Sequence, residues 1–543
     1  MKRDFNKLNG NVFDLIVVGG GIIGCGIARD AALRGLKTLL LDKEDFAYGT
    51  TSRSSRLIHG GLRYLRQFEF GLVRQDMRER EVLLKIAPHL VHPLPFLIPL
   101  VKTSERFVMA AGTLLYDVLS FDKTLPSRKY FSRQETLRME PDLRMEGLRG
   151  AYRYYDCQVP FAERLCLENA LAAADNGATV LNHVRVTGIL KEGVTVTGVQ
   201  VEDVLSGKVC RVTSRMVVNA AGHWMDALCS MAYGQTKRLV RRTKGIHLLT
   251  RRVNNNALVL FAKTDGRLWF VIPWQGYSLI GTTDTDYADD LDSIYANKAD
   301  VYYLLAEARR LFPDLKVEDV FYTYAGLRSL ADSGSDRPSN ITRAHKLFDH
   351  EKTDGMKGFI SVLGGKITGY RAIAEEVVDA VCRKLGNAAP CRTASIPLPG
   401  APAVPKEQIE RSVQESGLPA ETVAYLAGVY GATSSHVLGL AQKDGRGKQA
   451  LCPHSRDILA QVWHAVNEEC ALTVSDFLLR RSACGLNHCQ GLDAVETVAA
   501  EMSALLGWNP EERQRQITEY RNSAALGQRF REEKTVCRVS LST

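Results

Sequence analysis

The chain is 543 residues long, which is too long for one hydrophobic core and predicts two or three domains. Hydrophobic residues make up 45% of it and charged residues 24%, a composition that excludes a largely disordered chain and a collagen-like or coiled-coil repeat. Lys and Arg number 70 against 61 Asp and Glu, so the net charge of +9 suits an anionic substrate or membrane surface and is weak support for nucleic-acid binding.

The first ordered unit predicts a strand, a glycine-rich turn, a helix and a second strand. Residues 12–18 (VFDLIVV) form an apolar run, GGGIIG follows at 19–24, and a helical pattern ends before Gly35. The second strand lies directly after it, in KTLLLD. This order opens a parallel sheet and predicts a βαβ unit.

The turn of this unit carries the pattern of a dinucleotide site. Gly19, Gly21 and Gly24 permit a tight turn that brings a pyrophosphate close to the positive end of the helix. Asp42 ends the second strand, where it can accept hydrogen bonds from an adenosine ribose, and an acid there argues against a 2′-phosphate. The unit predicts FAD or NAD binding, against the alternative of a βαβ turn that binds no nucleotide.

The middle of the chain predicts two interleaved domains. Residues 177–222 contain short β-branched runs that predict a meander returning to the main sheet, and 258–283 predict antiparallel strands of a second sheet. Residues 80–140 and 285–315 have helical periodicity. Prolines in 396–405 (IPLPGAPAVP) predict a linker.

The sequence after this linker predicts helices. Asn509 before Pro510 is a strong helix start, and Ser455 and Thr473 precede similar amphipathic stretches. The beginning of the chain, residues 1–11, lacks an apolar stretch and argues against a secretory signal. Twelve cysteines without a C-x-x-C pair favour a reduced, cytoplasmic setting.

Seven motifs then occur in a specific order along the chain: SSRLIHGGLRYL, VNAAGHW, VIPW, IGTTDTDY, YAGLRSL, ITR and GGKITGYR. Together they resemble the FAD-dependent glycerol-3-phosphate dehydrogenases of the aerobic type, in the D-amino-acid-oxidase-like flavoprotein superfamily. The resemblance runs from about residue 12 to about residue 380. The tail HAVNEECALTVSDFLLRRSACGL is similar to the C-terminal domain of that family.

The resemblance implies an α/β fold in which an FAD-binding domain is interleaved with an antiparallel-sheet substrate domain, followed by an all-helical C-terminal domain. We expect the FAD-binding domain over 1–80, 145–235 and 325–390. The substrate domain is expected over 81–144 and 236–324, and the helical domain over 400–543.

FAD is the cofactor that the resemblance implies. Backbone amides after the paired glycines of GGKITGYR, at a helix start, can approach the flavin, and Gly369 stands where the family has a second Thr. The cofactor-binding residues implied are Gly19, Gly21, Gly24, Asp42, Ser54, Ser55, Gly60, Gly61, Gly222, Gly364, Gly365, Lys366 and Thr368.

The same resemblance implies a site for sn-glycerol 3-phosphate. Arg63, Arg328 and Arg343 lie in GGLRY, AGLRS and ITR, and a planar guanidinium can donate two parallel hydrogen bonds to a phosphate. Tyr64 is expected beside them. The alternative for any one arginine is a solvated surface charge.

The expected reaction is hydride transfer from the substrate C2 to flavin N5, giving dihydroxyacetone phosphate, with electrons passed to a membrane quinone. A base must take the hydroxyl proton, and His59, His247 and Lys366 are the candidates beside the catalytic Arg63 and Arg328. Three alternatives stay open: an oxidase that uses oxygen, an amine oxidase on the same fold, and a nucleic-acid-binding protein with a structural flavin.

The expected location is the cytoplasm, peripheral on the inner face of the cell membrane. The longest apolar runs, at 93–101 and 107–119, are shorter than the roughly 18 residues of a spanning helix. The apolar stretch 107–115 and the basic run 237–252 are candidates for an anionic membrane surface, while the basic run is equally explained as a solvated strand edge. A homodimer is possible, and no nucleic-acid partner is expected.

No metal is expected. Cys452, His454, Cys484, His488 and Cys489 have spacings that match neither a zinc knuckle nor a four-cysteine cluster. We therefore interpret them as unrelated residues of a helical domain.

Overall fold

The computed structural model describes residues 1–61, 64–65, 68–331 and 342–533 of the chain. Two β-sheets border one large cavity. After residue 405 the described part of the chain is mainly helical.

The strands of the described residues, in chain order, are β1 (Val12–Val18), β2 (Thr38–Leu41), β3 (Leu57–Ile58), β4 (His92–Leu100), β5 (Lys129–Ser132), β6 (Gly150–Gln158), β7 (Thr179–Leu181), β8 (Val184–Glu192), β9 (Thr195–Asp203), β10 (Val209–Asn219), β11 (Val240–Arg251), β12 (Ala257–Phe261), β13 (Leu268–Trp274), β14 (Tyr277–Gly281), β15 (Thr285–Asp286), β16 (Val320–Ala331), β17 (Lys346–Asp349) and β18 (Phe359–Leu363).

The α-helices of the same residues are α1 (Ile22–Leu33), α2 (Phe70–Ile86), α3 (Thr103–Leu119), α4 (Arg133–Met139), α5 (Ala162–Asp175), α6 (Met225–Tyr233), α7 (Lys298–Arg309), α8 (His350–Asp354), α9 (Tyr370–Leu385), α10 (Lys406–Ser416), α11 (Ala420–Tyr430), α12 (Ser434–Lys443), α13 (Leu459–Glu469), α14 (Val474–Asp476), α15 (Val495–Leu506) and α16 (Pro510–Ala525).

The first sheet has the order β17-β18-β10-β1-β2-β7, with β9 and β8 attached to β10. Its centre, from β18 to β7, is parallel. Parallel strands must be covered on both faces, and α1, α5 and α9 pack together over one of them. The βαβ unit and the meander are therefore confirmed.

The second sheet has the order β15-β11-β14-β13-β12-β4-β6-β3, with β16 on β11 and β5 on β6. Its pairs are antiparallel except for β12 with β4, so the expected antiparallel sheet is confirmed. Strand β6 belongs to it because it pairs with β4 over nine positions, although residues 150–158 fall within the range 145–235 expected for the FAD-binding domain. The exact domain boundaries stay a prediction.

The basic run 237–252 is not a strand edge, and this interpretation was wrong. Strand β11 lies between β14 and β16 and is paired on both sides. Its basic side chains contact carboxylates: Lys244 with Asp300, and Arg242 with Asp226. Backbone pairing with two neighbours buries the strand, so the run does not form one exposed basic surface.

The C-terminal helices dock on the first sheet through buried ion pairs. Arg481 Nη1 lies 2.7 Å from Asp45 Oδ2, and Arg480 Nε lies 2.6 Å from the same atom. The proline-rich stretch is packed rather than free, since the Leu398 amide donates to the Ile86 carbonyl at 2.9 Å. These contacts hold the helical region against the rest of the chain.

Two of the three helix starts expected in this region are confirmed. The Asn509 side chain accepts a hydrogen bond from the Glu512 amide before α16, and Thr473 caps α14 in the same way. Ser455 starts no helix, because α13 begins only at Leu459. None of the helices in the described part of the chain combines the length and the apolar composition that a membrane span requires.

Candidate functional site

One cavity of about 430 Å³ lies between the two sheets. The first-sheet side is the part lined by residues at the carboxyl ends of β1, β2, β10 and β18, where open α/β sheets bind ligands. The second-sheet side is the part lined by residues of β11, β13 and β16 and by residues 282–284, which follow β14.

Most residues expected from the sequence meet at this cavity. Its lining includes Gly19, Gly21, Asp42, Ser54, Ser55, His59, Gly61, Tyr64, Gly222, His247, Arg328, Arg343, Gly364, Gly365, Lys366 and Thr368. Two expected cofactor residues, Gly24 and Gly60, are not part of the lining. Arg63 lies outside the described residues.

The glycines of the first turn have different tasks. A Cβ on Gly24 would lie 1.8 Å from the Gly19 carbonyl oxygen, and a Cβ on Gly19 would lie 2.5 Å from the Ala220 oxygen. These two positions allow the turn itself to pack. Gly21 is different, because the nearest atom to its Cβ is the Thr51 hydroxyl at 3.5 Å, and it faces the cavity. Gly60 also serves packing, since a Cβ there would lie 2.7 Å from the Tyr116 hydroxyl.

Asp42 is held at the end of β2 by two backbone amides. The Gly20 amide donates to its Oδ2 at 2.5 Å, and the Glu44 amide donates to its Oδ1 at 2.8 Å. Burial nevertheless raises the pKa of Asp42 to about 7. A ligand hydroxyl that donates to this carboxylate would lower the pKa again.

The glycine pair after β18 forms a second backbone-lined edge of the cavity. Gly364 and Gly365 have φ values of +73° and +99°, which favour glycine, and a Cβ on Gly365 would lie 2.5 Å from the Ile373 side chain. The Thr368 hydroxyl accepts a hydrogen bond from the His59 amide at 3.0 Å. At Gly369, a Cβ would lie 3.2 Å from Asp76 Oδ1, which crowds any side chain in that place.

Lys366 joins this edge to α2. Its ammonium group forms an ion pair with the buried Asp76 and lies 4.2 Å above the centre of the Tyr64 ring. Burial is the main influence on Asp76 and raises its pKa to about 6, although Lys366 opposes the shift. Asp76 was not predicted from the sequence, because it lies on α2 and outside every motif.

On the second-sheet side, one carboxylate bridges two of the expected arginines. Asp284 Oδ1 lies 3.1 Å from Arg328 Nη1, and its Oδ2 lies 2.6 Å from Arg343 Nη2. Burial would raise the pKa of Asp284, but the charges of the two arginines outweigh it and lower the pKa. Asp284 is a site residue that the sequence analysis missed. It could have been found from its position, because it is an acidic residue directly after the apolar strand and the two threonines of YSLIGTT.

Arg343 keeps one donor available. Its Nη1 is buried and has no hydrogen-bond partner among the described residues. A buried guanidinium nitrogen without a partner is costly. Other atoms of Arg343 line the cavity, so the guanidinium group lies next to the space that a ligand could occupy.

Both candidate histidines line the cavity in their neutral form. Burial and the charges of Arg328 and Arg56 lower the pKa of His247 to about 3. Burial, Lys366 and Arg80 do the same for His59. His247 Nε2 lies 2.8 Å from the Ser55 hydroxyl, while its buried Nδ1 has no partner among the described residues.

Comparison with known proteins assigns the chain to a family. The family described as FAD dependent oxidoreductase matches residues 14–371, and the C-terminal domain of alpha-glycerophosphate oxidase matches residues 391–513. A glycerol-3-phosphate dehydrogenase of Synechocystis is 42% identical over 95% of this chain and 97% of its own length. The chain belongs to the FAD-dependent glycerol-3-phosphate dehydrogenases.

Further members of this dehydrogenase family support the assignment. Glycerol-3-phosphate dehydrogenase 2 of Mycobacterium tuberculosis is 38% identical over 95% of this chain and 88% of its own length. The crystal structure of the Bacillus halodurans glycerol-3-phosphate dehydrogenase complexed with FAD has a TM-score of 0.79 at 31% identity and covers 96% of both chains. Dehydrogenases of this family are oxidoreductases that use FAD.

The residues of the first-sheet side fit FAD. Gly21 leaves room for a phosphate at the start of α1, and Asp42 provides an acceptor for ribose hydroxyls. Gly364 and Gly365 present backbone amides where the flavin ring is expected. The individual roles of these residues stay predictions.

Proposed function

We propose that the chain oxidises sn-glycerol 3-phosphate to dihydroxyacetone phosphate on the second-sheet side of the cavity. The observation that carries this proposal is the cluster of Arg328, Asp284 and Arg343 in the same cavity as the cofactor glycines. FAD, when bound, supplies the acceptor for the hydride from C2 at flavin N5.

The arginine cluster suits a phosphate. Asp284 balances one of the two positive charges and leaves a net positive site, so it aligns the guanidinium groups without cancelling them. Both arginines line the cavity, where their guanidinium groups can donate hydrogen bonds to phosphate oxygens. An amine substrate would meet a cationic site there, which disfavours the amine oxidase alternative.

His247 is the base that we propose for the hydroxyl proton. Its ring lines the cavity, and a hydrogen bond between Nε2 and the Ser55 hydroxyl at 2.8 Å fixes the orientation of the ring. His59 is the alternative, but its backbone is bonded to Thr368 and its ring packs edge-on against Phe270.

We propose that the electron acceptor is a membrane quinone and that α3 provides the membrane contact. Its outward face carries Phe107, Val108, Leu114, Leu115 and Val118, which are 37–73% exposed and lie within about a third of the helix circumference. Such an apolar face can lie in the lipid interface.

Helix α3 also reaches the cavity wall from its other side. Tyr116 is buried, donates to Asp156 Oδ2 at 2.6 Å and accepts a hydrogen bond from the Gly60 amide at 3.1 Å. Gly61, the next residue, lines the cavity. A quinone at the surface of α3 would therefore be separated by this helix from the cavity wall at Gly61. The basic residues Lys102 and Arg106 lie at the start of the helix, the first as its N-cap and the second in its first turn.

Anaerobic bleaching of the flavin by sn-glycerol 3-phosphate tests the reaction, and no bleaching would refute it. Stopped-flow reoxidation by a soluble quinone or by oxygen then identifies the acceptor. We expect fast reoxidation by quinone and slow reoxidation by oxygen; the reverse order would support the oxidase alternative. The possible homodimer stays a prediction.

Sedimentation with anionic lipid vesicles tests the membrane contact. The double variant Phe107→Ser with Val118→Ser should lose vesicle binding yet keep activity with a soluble dye. Val194→Ser with Val209→Ser is the matched control, since these side chains are 62% and 59% exposed elsewhere. Equal binding of both variants would contradict the assignment to α3.

A further inference from the structure

Two thiols, an imidazole and a carboxylate meet on the C-terminal region, outside the cavity. Cys452 and Cys489 are 37 positions apart in sequence, yet their Sγ atoms lie 3.3 Å apart. Asp493 Oδ2 lies 4.0 Å from Cys452 Sγ and 3.8 Å from His454 Nε2. The interpretation of these cysteines as unrelated residues was therefore wrong, because the fold brings their loops together.

We propose that Cys452, Cys489, Asp493 and His454 bind a structural Zn²⁺ ion. One ligand atom each of Cys452, Cys489 and Asp493 lies within 4.8 Å of the other two. Two thiolates with an imidazole and a carboxylate are a ligand set that zinc prefers, in four-coordinate tetrahedral geometry. Zn–S bonds of about 2.3 Å place two thiolates about 3.8 Å apart, so the sulfurs need to separate only slightly.

Two amide groups donate hydrogen bonds to the sulfur of Cys452. The backbone amide of His454 donates to Cys452 Sγ at 3.3 Å, and the side-chain amide of Asn487 donates to the same atom at 3.5 Å. Asn487 also accepts from the Cys489 amide at 3.0 Å, so one side chain orients both cysteines. Amides around a sulfur are the outer contacts that metal-binding cysteines have.

Proximity of two thiols alone does not define such a site. Cys25 and Cys166 have Sγ atoms 3.5 Å apart, but both contact the Gly20 carbonyl oxygen. Cys484 lies near the proposed site, yet its thiol contacts Asp457 Oδ2 at 3.3 Å. Within the described residues, the group with Cys452 is the one with three ligating atoms in range.

The zinc ion would fix the Cys489 loop against the second sheet. The His488 amide donates to the Tyr277 hydroxyl at 3.3 Å, and the Gln490 side chain donates to the Phe321 carbonyl at 2.8 Å. Tyr277 and Phe321 lie on β14 and β16. Binding of Zn²⁺ releases one proton from each thiol to solvent, and the ion then ties two loops of the C-terminal region together.

Elemental analysis of the FAD-loaded protein is the first test. We expect one zinc per chain as purified, removal by a strong chelator, and a fall in Tm of more than about 2 °C after removal. Added Co²⁺ should then give the intense red-region bands of a tetrahedral site, which are clear of the flavin absorption. A weak octahedral Co²⁺ spectrum, or a Cys452–Cys489 disulfide found by mass spectrometry, would overturn the proposal.

Variants locate the ion. Cys489→Ser and Asp493→Ala should each weaken Co²⁺ binding at least about tenfold, by analogy with losses of metal contacts. Cys210→Ser, which removes a half-buried thiol on β10, is the matched control and should bind Co²⁺ as the parent does. Parent-like binding in both site variants would show that the metal lies elsewhere and refute the assignment.

Discussion

The first-sheet side of the cavity is built from backbone atoms, whereas the second-sheet side is built from charged side chains. Around Gly19 and Gly364 the shape depends on glycines, because an added Cβ would meet a neighbouring carbonyl or side chain. Around Asp284 it depends on two ion pairs between residues 44 and 59 positions apart. At Gly19 and Gly364 an added side chain meets backbone oxygens and is not tolerated, whereas a wall built from ion pairs tolerates small changes of geometry at a graded cost.

The largest effect is expected from Gly24→Val, in the glycine turn that supports the first-sheet side. The Cβ would lie 1.8 Å from the Gly19 carbonyl oxygen, so the turn cannot form. We expect loss of bound flavin and a decrease in the free energy of unfolding of more than about 3 kcal/mol. Flavin absorbance per chain and urea denaturation measure both.

Gly21→Ala is the matched control for that change. Its Cβ has 3.5 Å to the nearest atom, so the fold should persist while FAD binds more weakly. Equal loss of stability in the two variants would show that the two glycines do not differ as described.

The second-largest effect is expected from His247→Asn. If His247 accepts the substrate proton, kcat should fall by about 100-fold or more with little change in KM. His59→Asn serves as the comparison and should reduce kcat less. Steady-state kinetics with a soluble dye as electron acceptor measures kcat for both variants. A larger fall in kcat for His59→Asn would show that His59, and not His247, is the base.

Arg343→Lys tests the graded response of the second-sheet side. Lysine keeps the charge but loses the planar pair of donors, so kcat/KM should fall, mainly through a higher KM. The fall should correspond to a loss of about 1.5–3 kcal/mol in transition-state stabilisation. Arg215→Lys, at a side chain that is 55% exposed, is the control and should leave kinetics unchanged. Unchanged kinetics for Arg343→Lys would assign Arg343 to structure.

The smallest effect concerns the pH dependence of FAD binding. Below pH 7 the Asp42 carboxyl keeps its proton, because burial raises its pKa to about 7. Ribose hydroxyls favour the carboxylate, so binding must release that proton and FAD affinity should rise up to about tenfold per pH unit until pH 7. Titration of the FAD-free protein measures this, and Asp42→Asn should remove the dependence; a flat profile in the parent would contradict it.

The sequence predicted the first-sheet side well because its information is local. Gly19, Gly21 and Asp42 lie within 24 residues and act through one turn and two adjacent strands. The second-sheet side was predicted only as single arginines in matched motifs. Asp284 and Asp76 were missed, because an acid acquires its role from the cation that the fold brings to it.

Local sequence patterns by themselves determined the βαβ unit, the glycine turns and the ordered motifs of a flavoenzyme, since each depends on neighbours in the chain. Tertiary structure decided which charges meet. It buried the basic run of β11 between two strands, joined Arg328 to Arg343 through Asp284, and brought Cys452 to Cys489. Ion pairs and thiol contacts depend on distances of a few ångströms between remote residues, and those distances are set by packing rather than by spacing in the sequence.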